Sequence, residues 1–248
     1  MPDGIRTWLG NGEFERAGSR WQPTLDAPRI SRRLLGHQLA GARLAGVWFQ
    51  LTDPADPADV AAVVELARTA MPVCGHTVVI AIDGPSGSGK TTLAKGVVDE
   101  LDCPVVHMDQ IFPGWDGLAP APTLLTTQVL EPIARGERAA YKEWDWQADR
   151  WGATITLPRH DLLVVEGCGS SVMPAGAYAA VRVWVEAPRA LRLARGLARD
   201  GEAYAPHWQR WADQEAAIFA ADRTRDRADL IIQTGDPNEI GQAHQAGD

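Results

Sequence analysis

The segment that most limits what this chain can become is VVIAIDGPSGSGKTTLAKGV, running from Val78 to Val97. An apolar run ends on Asp83, three glycines fall within the next six positions, and Lys90-Thr91-Thr92 opens a stretch with helical spacing. A continuous apolar run of this kind is a strand buried on both faces of a parallel sheet. Gly84-Pro85-Ser86-Gly87-Ser88-Gly89-Lys90-Thr91 meets every fixed position of G-x-x-x-x-G-K-[ST], with the strand before it and the helix after it that the chemistry needs. Glycines let backbone N–H groups crowd around phosphate oxygens, and the helix start adds its dipole and free N–H groups. Lys90 is spaced to reach the β and γ phosphates, Thr91 to offer a hydroxyl to Mg²⁺, and Thr92 to add a contact to the α phosphate. The alternative is a glycine-rich turn that binds nothing. A full match in the right context favours a bound nucleoside triphosphate.

From His76 onward strands and helices alternate. HTVVIAID, PVVHMD, DLLVVEG, VRVWVEA and ADLIIQT read as strands. KTTLAKGVVDEL, PTLLTTQVLEPIARG, PRALRLARGLARD and the stretch around PHWQRWADQEAAIFAADR read as helices. This grammar predicts an α/β domain over residues 76–248, a parallel sheet with helices on both faces. Ligands in such sheets bind beyond the carboxyl ends of the strands. Asp83, Asp109 and Glu166 all fall at or next to those ends, which suggests one shared site. Residues 1–75 read as an N-terminal extension of unassigned role. Within it, Ile30 to Gly46 has helical spacing weakened by glycines, and GVWFQLT is a candidate strand. A clearer helix starts with Asp56 as cap and Pro57 at the first helical position, with Val60, Val63, Val64 and Leu66 in helical register.

Several function classes are disfavoured. A net charge of −8 over 248 residues argues against a nucleic-acid backbone or an anionic membrane as a general partner. No stretch approaches the roughly 18 apolar residues of a membrane span. The start MPDGIRTWLGNGEFER has no basic-then-apolar pattern, so no signal peptide is expected. Cys74, Cys103 and Cys168 are odd in number and lack metal spacing, which predicts reduced thiols and a cytoplasmic setting.

A phosphate loop alone does not separate kinases from switches, transporters or motors. The chain's asparagines, Asn11 and Asn238, build no N-K-x-D element of a guanine-selective switch, and there is no LSGGQ-type element. Three further stretches carry a resemblance. HMDQIFPGWDGL is similar to a D-x-F-Y segment after the second strand, with Ile111 and Phe112 in place of Phe-Tyr. LLVVEG resembles the Glu-Gly after the third core strand. RLARGLARD, Arg192 to Asp200, resembles a lid segment R-L-x-R-R-x-x-R-D, with Gly196 replacing one arginine. Together these resemble the uridine kinase–phosphoribulokinase group of P-loop kinases over roughly residues 76–236. The resemblance implies a nucleoside-kinase-like P-loop fold, ATP and Mg²⁺ as cofactors, Asp109 and Lys90 as catalytic groups, and Thr91, Asp109 and Glu166 around the metal and its waters. It also implies that Arg192, Arg195 and Arg199 close over the nucleotide, the first two in catalysis. Guanidinium forks suit the dispersed charge of a transferring phosphoryl group. The plainer readings are a turn-capping Asp109, a helix-capping Glu166 and a solvated basic helix face.

The family's acceptor element Y-D-F/Y-x-x-H has its equivalent in Trp144-Asp145-Trp146-Gln147-Ala148-Asp149, with Trp for Tyr and Asp149 for His. Trp144, Asp145, Trp146 and Asp149 are therefore the candidate substrate-binding residues, with Trp115 and Trp151 near in sequence. Tryptophans stack on flat rings, and equally they fill cores. The expected partner is a small hydroxyl-bearing acceptor, with a nucleoside such as uridine or cytidine first. The alternatives are a sugar phosphate, a vitamin precursor or an antibiotic, or a non-catalytic ATP-binding regulator. Members of the group are often oligomeric, so a homo-oligomer is within expectation.

Overall fold

The computed structural model describes residues 54–201 and 205–235. The readings of Ile30–Gly46 and GVWFQLT lie outside the described residues. Helix α1, Pro57–Thr69, starts as its sequence dictates: the Asp56 carboxylate accepts the Ala58 N–H at 2.8 Å, and proline occupies the first turn. Val63 and Ala67 are buried in the same cluster as β1, Val78–Asp83, so this stretch of the predicted extension is packed into the domain.

The chain continues through α2, Lys90–Leu101, and β2, Val105–His107. After two 3-10 turns, α3 (Ala121–Leu125) passes through a π turn, Thr126–Leu130, into α4 (Glu131–Ala134). The interruption has a local cause. Pro132 has no N–H to offer the helix ladder, and the ladder widens just before it, with Glu131 N–H reaching Thr126 O. Strands β3 (Ala140–Asp145) and β4 (Arg150–Thr156) pair as an antiparallel hairpin with a bulge between Lys142 and Trp144. Then come β5 (Leu162–Glu166), β6 (Val181–Glu186), α5 (Arg189–Asp200), α6 (Trp208–Asp222) and β7 (Leu230–Gln233).

Five strands form one parallel sheet in the order β2-β5-β1-β6-β7. Alternation along β1 sends Val78, Ile80 and Ile82 into a cluster with Leu93, Ala94 and Val97 of α2. Val79 goes into a second cluster with Leu125, Val129 and Leu130. Both faces are thus covered, which is what continuous apolar strands require. Among the described residues no helix is long and apolar enough to cross a membrane. The three cysteines are free and buried.

At the end of β6 Glu186 holds an ion pair with a pH signature. Arg225 Nε and Nη2 donate to its two oxygens at 2.8 and 3.0 Å, and Trp184 Nε1 adds a third bond at 2.8 Å. The Arg225 fork, helped by Trp184, outweighs partial burial and pulls the carboxyl from 4.5 to about 2. A depressed folded-state value contributes stability that is present above the unfolded value and fades as pH falls through the folded one. Denaturation midpoints should therefore drop between about pH 4.5 and 2. The Glu186→Gln protein should lose less over that interval, measured by urea titration at a series of pH values.

Candidate active site

The phosphate loop leaves β1 and enters α2 at Gly89. Asp83, at the strand end, is not part of an open site. Its carboxylate is 0 % exposed and accepts the N–H groups of Gly84, Gly169 and Ser171 and the Ser171 hydroxyl, all at 2.7–2.9 Å. It ties the loop to the turn after β5, so of the three strand-end acids read as sharing one site, Asp83 is the one taken up in holding the loop. Burial pushes its carboxyl up, only partly countered by those four bonds.

The other two acids converge. Register pairs His107 of β2 with Glu166 of β5, so Asp109, two residues further on, emerges beside Glu166. Close packing fixes that approach. Gly167 has φ 125°, and a Cβ there would lie 2.6 Å from Met108 Cβ, so a side chain would push the Asp109 turn off the strand end. Asp109 itself lies in a one-turn 3-10 segment just past β2 rather than on the strand.

Glu166 Oε2 accepts the Thr91 hydroxyl at 3.3 Å, and Oε1 meets His107 Nδ1 at 2.6 Å. Burial opposes charge on both partners, yet their bond outweighs it, holding His107 above and Glu166 below its ordinary value. Asp109 keeps substantial solvent contact. Lost hydration and then the Glu166 charge raise its carboxyl, against Arg199, Lys90 and His107. Lys90 Nζ donates to Pro85 O at 2.9 Å and lies 3.6 Å from Cys168 Sγ. Burial works against its charge, but its acidic surroundings, Glu215, Glu166 and Asp83 among them, more than offset this.

Helix α5 lies directly on the loop. A Cβ on Gly87, whose φ is 78°, would come 2.3 Å from Arg192 O, so only glycine admits this contact. Arg192 Nη1 donates to Ser86 O at 3.2 Å; Arg195 Nη1 reaches Gly87 O at 3.5 Å and Thr234 Oγ1 at 2.8 Å. Arg199 forks onto Asp200, and its charge also reaches Asp109. Thr234, which sequence reasoning did not single out, donates to Ser88 O at 2.6 Å.

The candidate acceptor residues lie at the tip of the β3–β4 hairpin, an element the sequence reading did not anticipate. Trp144 and Trp151 are register partners with ring centroids 5.0 Å apart. Asp145 Oδ1 is engaged by the Gln147 and Ala148 N–H groups and shapes the turn, where Asp149 takes φ 49°. Trp146 Nε1 donates to Asp109 O at 2.8 Å and packs 5.1 Å from Trp115, which stacks on His207 at 4.3 Å. Behind this, Gln110 is held by the Tyr141 hydroxyl and Glu143. The structure thus ties Trp146 to Asp109, packs Trp115 against Trp146 and pairs Trp144 with Trp151 beside Gly114.

Two polar atoms in and against the loop have no partner: Ser88 Oγ, in a side chain 0 % exposed, and Arg192 Nε. Buried donors of this kind call for an acceptor, and a polyphosphate laid on the loop would supply one. Among the described residues no three His, Cys, Asp or Glu side chains cluster as metal ligands. Thr91 and Glu166, joined by a hydrogen bond, and Asp109, whose carboxyl feels the Glu166 charge, are the side chains that could hold a divalent cation and its waters.

The parallel order 2-5-1-6-7, the loop after β1 and an arginine helix lying on that loop define an α/β P-loop fold. No family model matches the chain. A cytidylate kinase of Haloarcula marismortui is 31% identical over 126 residues, which is 50% of this chain and 60% of the relative. The chain therefore spans about three-fifths of that relative's length. A solved structure from Bacillus stearothermophilus, described as a possible uridine kinase, superposes with TM-score 0.52 at 19% identity, covering 71% of this chain and 97% of that one. At that identity the likeness is one of fold.

Proposed function

We propose that this chain is an ATP- and Mg²⁺-dependent phosphotransferase acting on a hydroxyl of a small molecule, with a nucleoside such as uridine or cytidine as its first-choice acceptor. The observation that carries the reading is the convergence of Thr91, Glu166 and Asp109 at the mouth of the phosphate loop. Thr91, Glu166 and Asp109 would hold magnesium, which when bound would supply positive charge against the developing negative charge. Lys90 and the loop N–H groups hold the polyphosphate, and Thr91 and Glu166 fix the metal's oxygen shell. Asp109 accepts the acceptor's hydroxyl proton at a carboxylate oxygen. Its exposed position at the mouth of the loop leaves that oxygen within reach of an incoming hydroxyl. Arg192 and Arg195 sit against the loop, where they can meet charge on the transferring group. Trp146, bonded to the Asp109 main chain, places an indole beside Asp109 where a planar ring could pack.

A second reading keeps the chemistry and changes the acceptor to a non-nucleoside alcohol. It is favoured by Asp145, whose Oδ1 is already engaged in the hairpin turn rather than free for a ribose. A panel of uridine, cytidine, cytidine monophosphate, sugar phosphates and hydroxylated antibiotics, assayed with Mg²⁺–ATP for ADP release, separates the readings. Turnover confined to nucleosides supports the first, and turnover with another alcohol alone supports the second. ADP release that no acceptor accelerates would sink both.

A further inference from the structure

Glu215 is a buried acid far in sequence from the residues it meets at the strand ends, and the roles assigned above leave it unexplained. It sits on α6, 2 % exposed, on the face that also buries Trp208 and Trp211. Its Oε1 accepts the Ser86 N–H at 2.7 Å and the Cys168 thiol at 3.1 Å. Burial first of all, with Glu215 itself contributing, keeps that thiol protonated and able to donate. Its Oε2 lies 3.6 Å from Arg192 Nη1, the nitrogen that also donates to Ser86 O. Ser86 is thus bracketed, its N–H on the acid and its C=O on the arginine that pairs with the acid.

The geometry of Arg192 shows what the bracket does. Its polar contacts run through Nη1, its guanidinium lies over Trp208 at 5.5 Å, and Nε is buried without a partner. Nε shares an edge of the guanidinium with Nη2, and that edge is the fork that grips phosphate bidentately. An anchor at Nη1 therefore presents the other edge. Buried Ser88 Oγ, in the loop itself, lacks a partner as well, so the vicinity offers at least two unmet donors to an anion.

We propose that Glu215 is a positioning residue: by seating Arg192 at Nη1 and Ser86 at its N–H, it turns the Nε edge of Arg192 toward the terminal phosphate of a bound nucleoside triphosphate. This rests on the reading that the loop binds such a nucleotide. Charge argues in the opposite direction, which makes the inference testable. Removing a buried negative charge beside a phosphate site should by itself tighten anion binding. A loss of affinity for the terminal phosphate must therefore come from lost orientation.

The experiment measures the affinities of a non-hydrolysable ATP analogue and of ADP, each with Mg²⁺, by titration calorimetry on the full chain. Wild type should prefer the ATP analogue. Glu215→Gln keeps an oxygen for Ser86 N–H but releases Arg192; it should lose about tenfold of that preference while ADP affinity holds or rises, as expected for one charged hydrogen bond. Arg192→Met should lose the same preference, and the double variant should be no worse than Arg192→Met alone. If the neutral side chain prevents folding, Glu215→Asp keeps the charge, retracts the carboxylate by one methylene and should still lose at least threefold. A preference unchanged within twofold in whichever of these folds, a fully additive double variant, or a wild type with no preference overturns the inference. A wild type that shows the preference but transfers phosphate to no acceptor overturns the kinase reading and leaves this one standing.

Discussion

Asp109→Ala is expected to reduce phosphoryl transfer by about three orders of magnitude, within the usual contribution of a positioned base and its electrostatics. Mg²⁺–ATP affinity should stay within about threefold of wild type, because the loop and Lys90 supply most of the binding. The folded state should barely notice the change. Asp109 keeps its solvent contact, and its bond to Trp146 uses its backbone oxygen, which alanine retains. Steady-state kinetics and calorimetry on the same preparation give both numbers. Wild-type turnover in this variant would remove Asp109 from the mechanism, and a parallel collapse of ATP affinity would make it a binding group instead.

Asp83→Ala is expected to have the largest effect on stability. Four donors converge on this buried carboxylate, and leaving a buried donor unmet costs about 1–3 kcal/mol. The charge itself is costly to bury, as its raised carboxyl shows, so part of that loss is returned when the acid goes. A net loss of about 4 kcal/mol or more is the expected balance, enough to lower the melting temperature by roughly 10 °C for a domain of this size. Asp83→Asn does not rescue it fully. Oδ1 serves two donors and Oδ2 the other two, so an amide NH₂ on either side faces donors rather than acceptors. Thermal denaturation followed by circular dichroism tests both variants; melting within about 3 °C of wild type would show that the loop finds other partners.

These two aspartates also mark where sequence reading works and where it stops. In the chain each is an acid at the end of an apolar run, and nothing local distinguishes them. Only the fold shows that Asp83 is surrounded by N–H groups while Asp109 is open beside Glu166. What depends on neighbours in sequence was legible: helix α2 begins and ends where its motif and apolar spacing place it, and Asp56 caps α1. The hairpin was missed because a bulge between Lys142 and Trp144 breaks the period of two. Glu215 stands 129 positions from the loop residue that it holds. Its one trace in the sequence is an acid spaced i, i+3 and i+7 with Trp208 and Trp211, on a face that a helix would otherwise keep apolar.

The bond from Trp146 Nε1 to the main-chain oxygen of Asp109 has a wider meaning for how such a catalyst changes over time. On the proposed reading, the loop tip that selects the incoming alcohol is bolted to the turn that deprotonates it. A new hairpin therefore cannot be acquired as an interchangeable part. Whatever replaces the indole must also keep the carboxylate in range, so taste for a different partner and competence to react with it have to be inherited together.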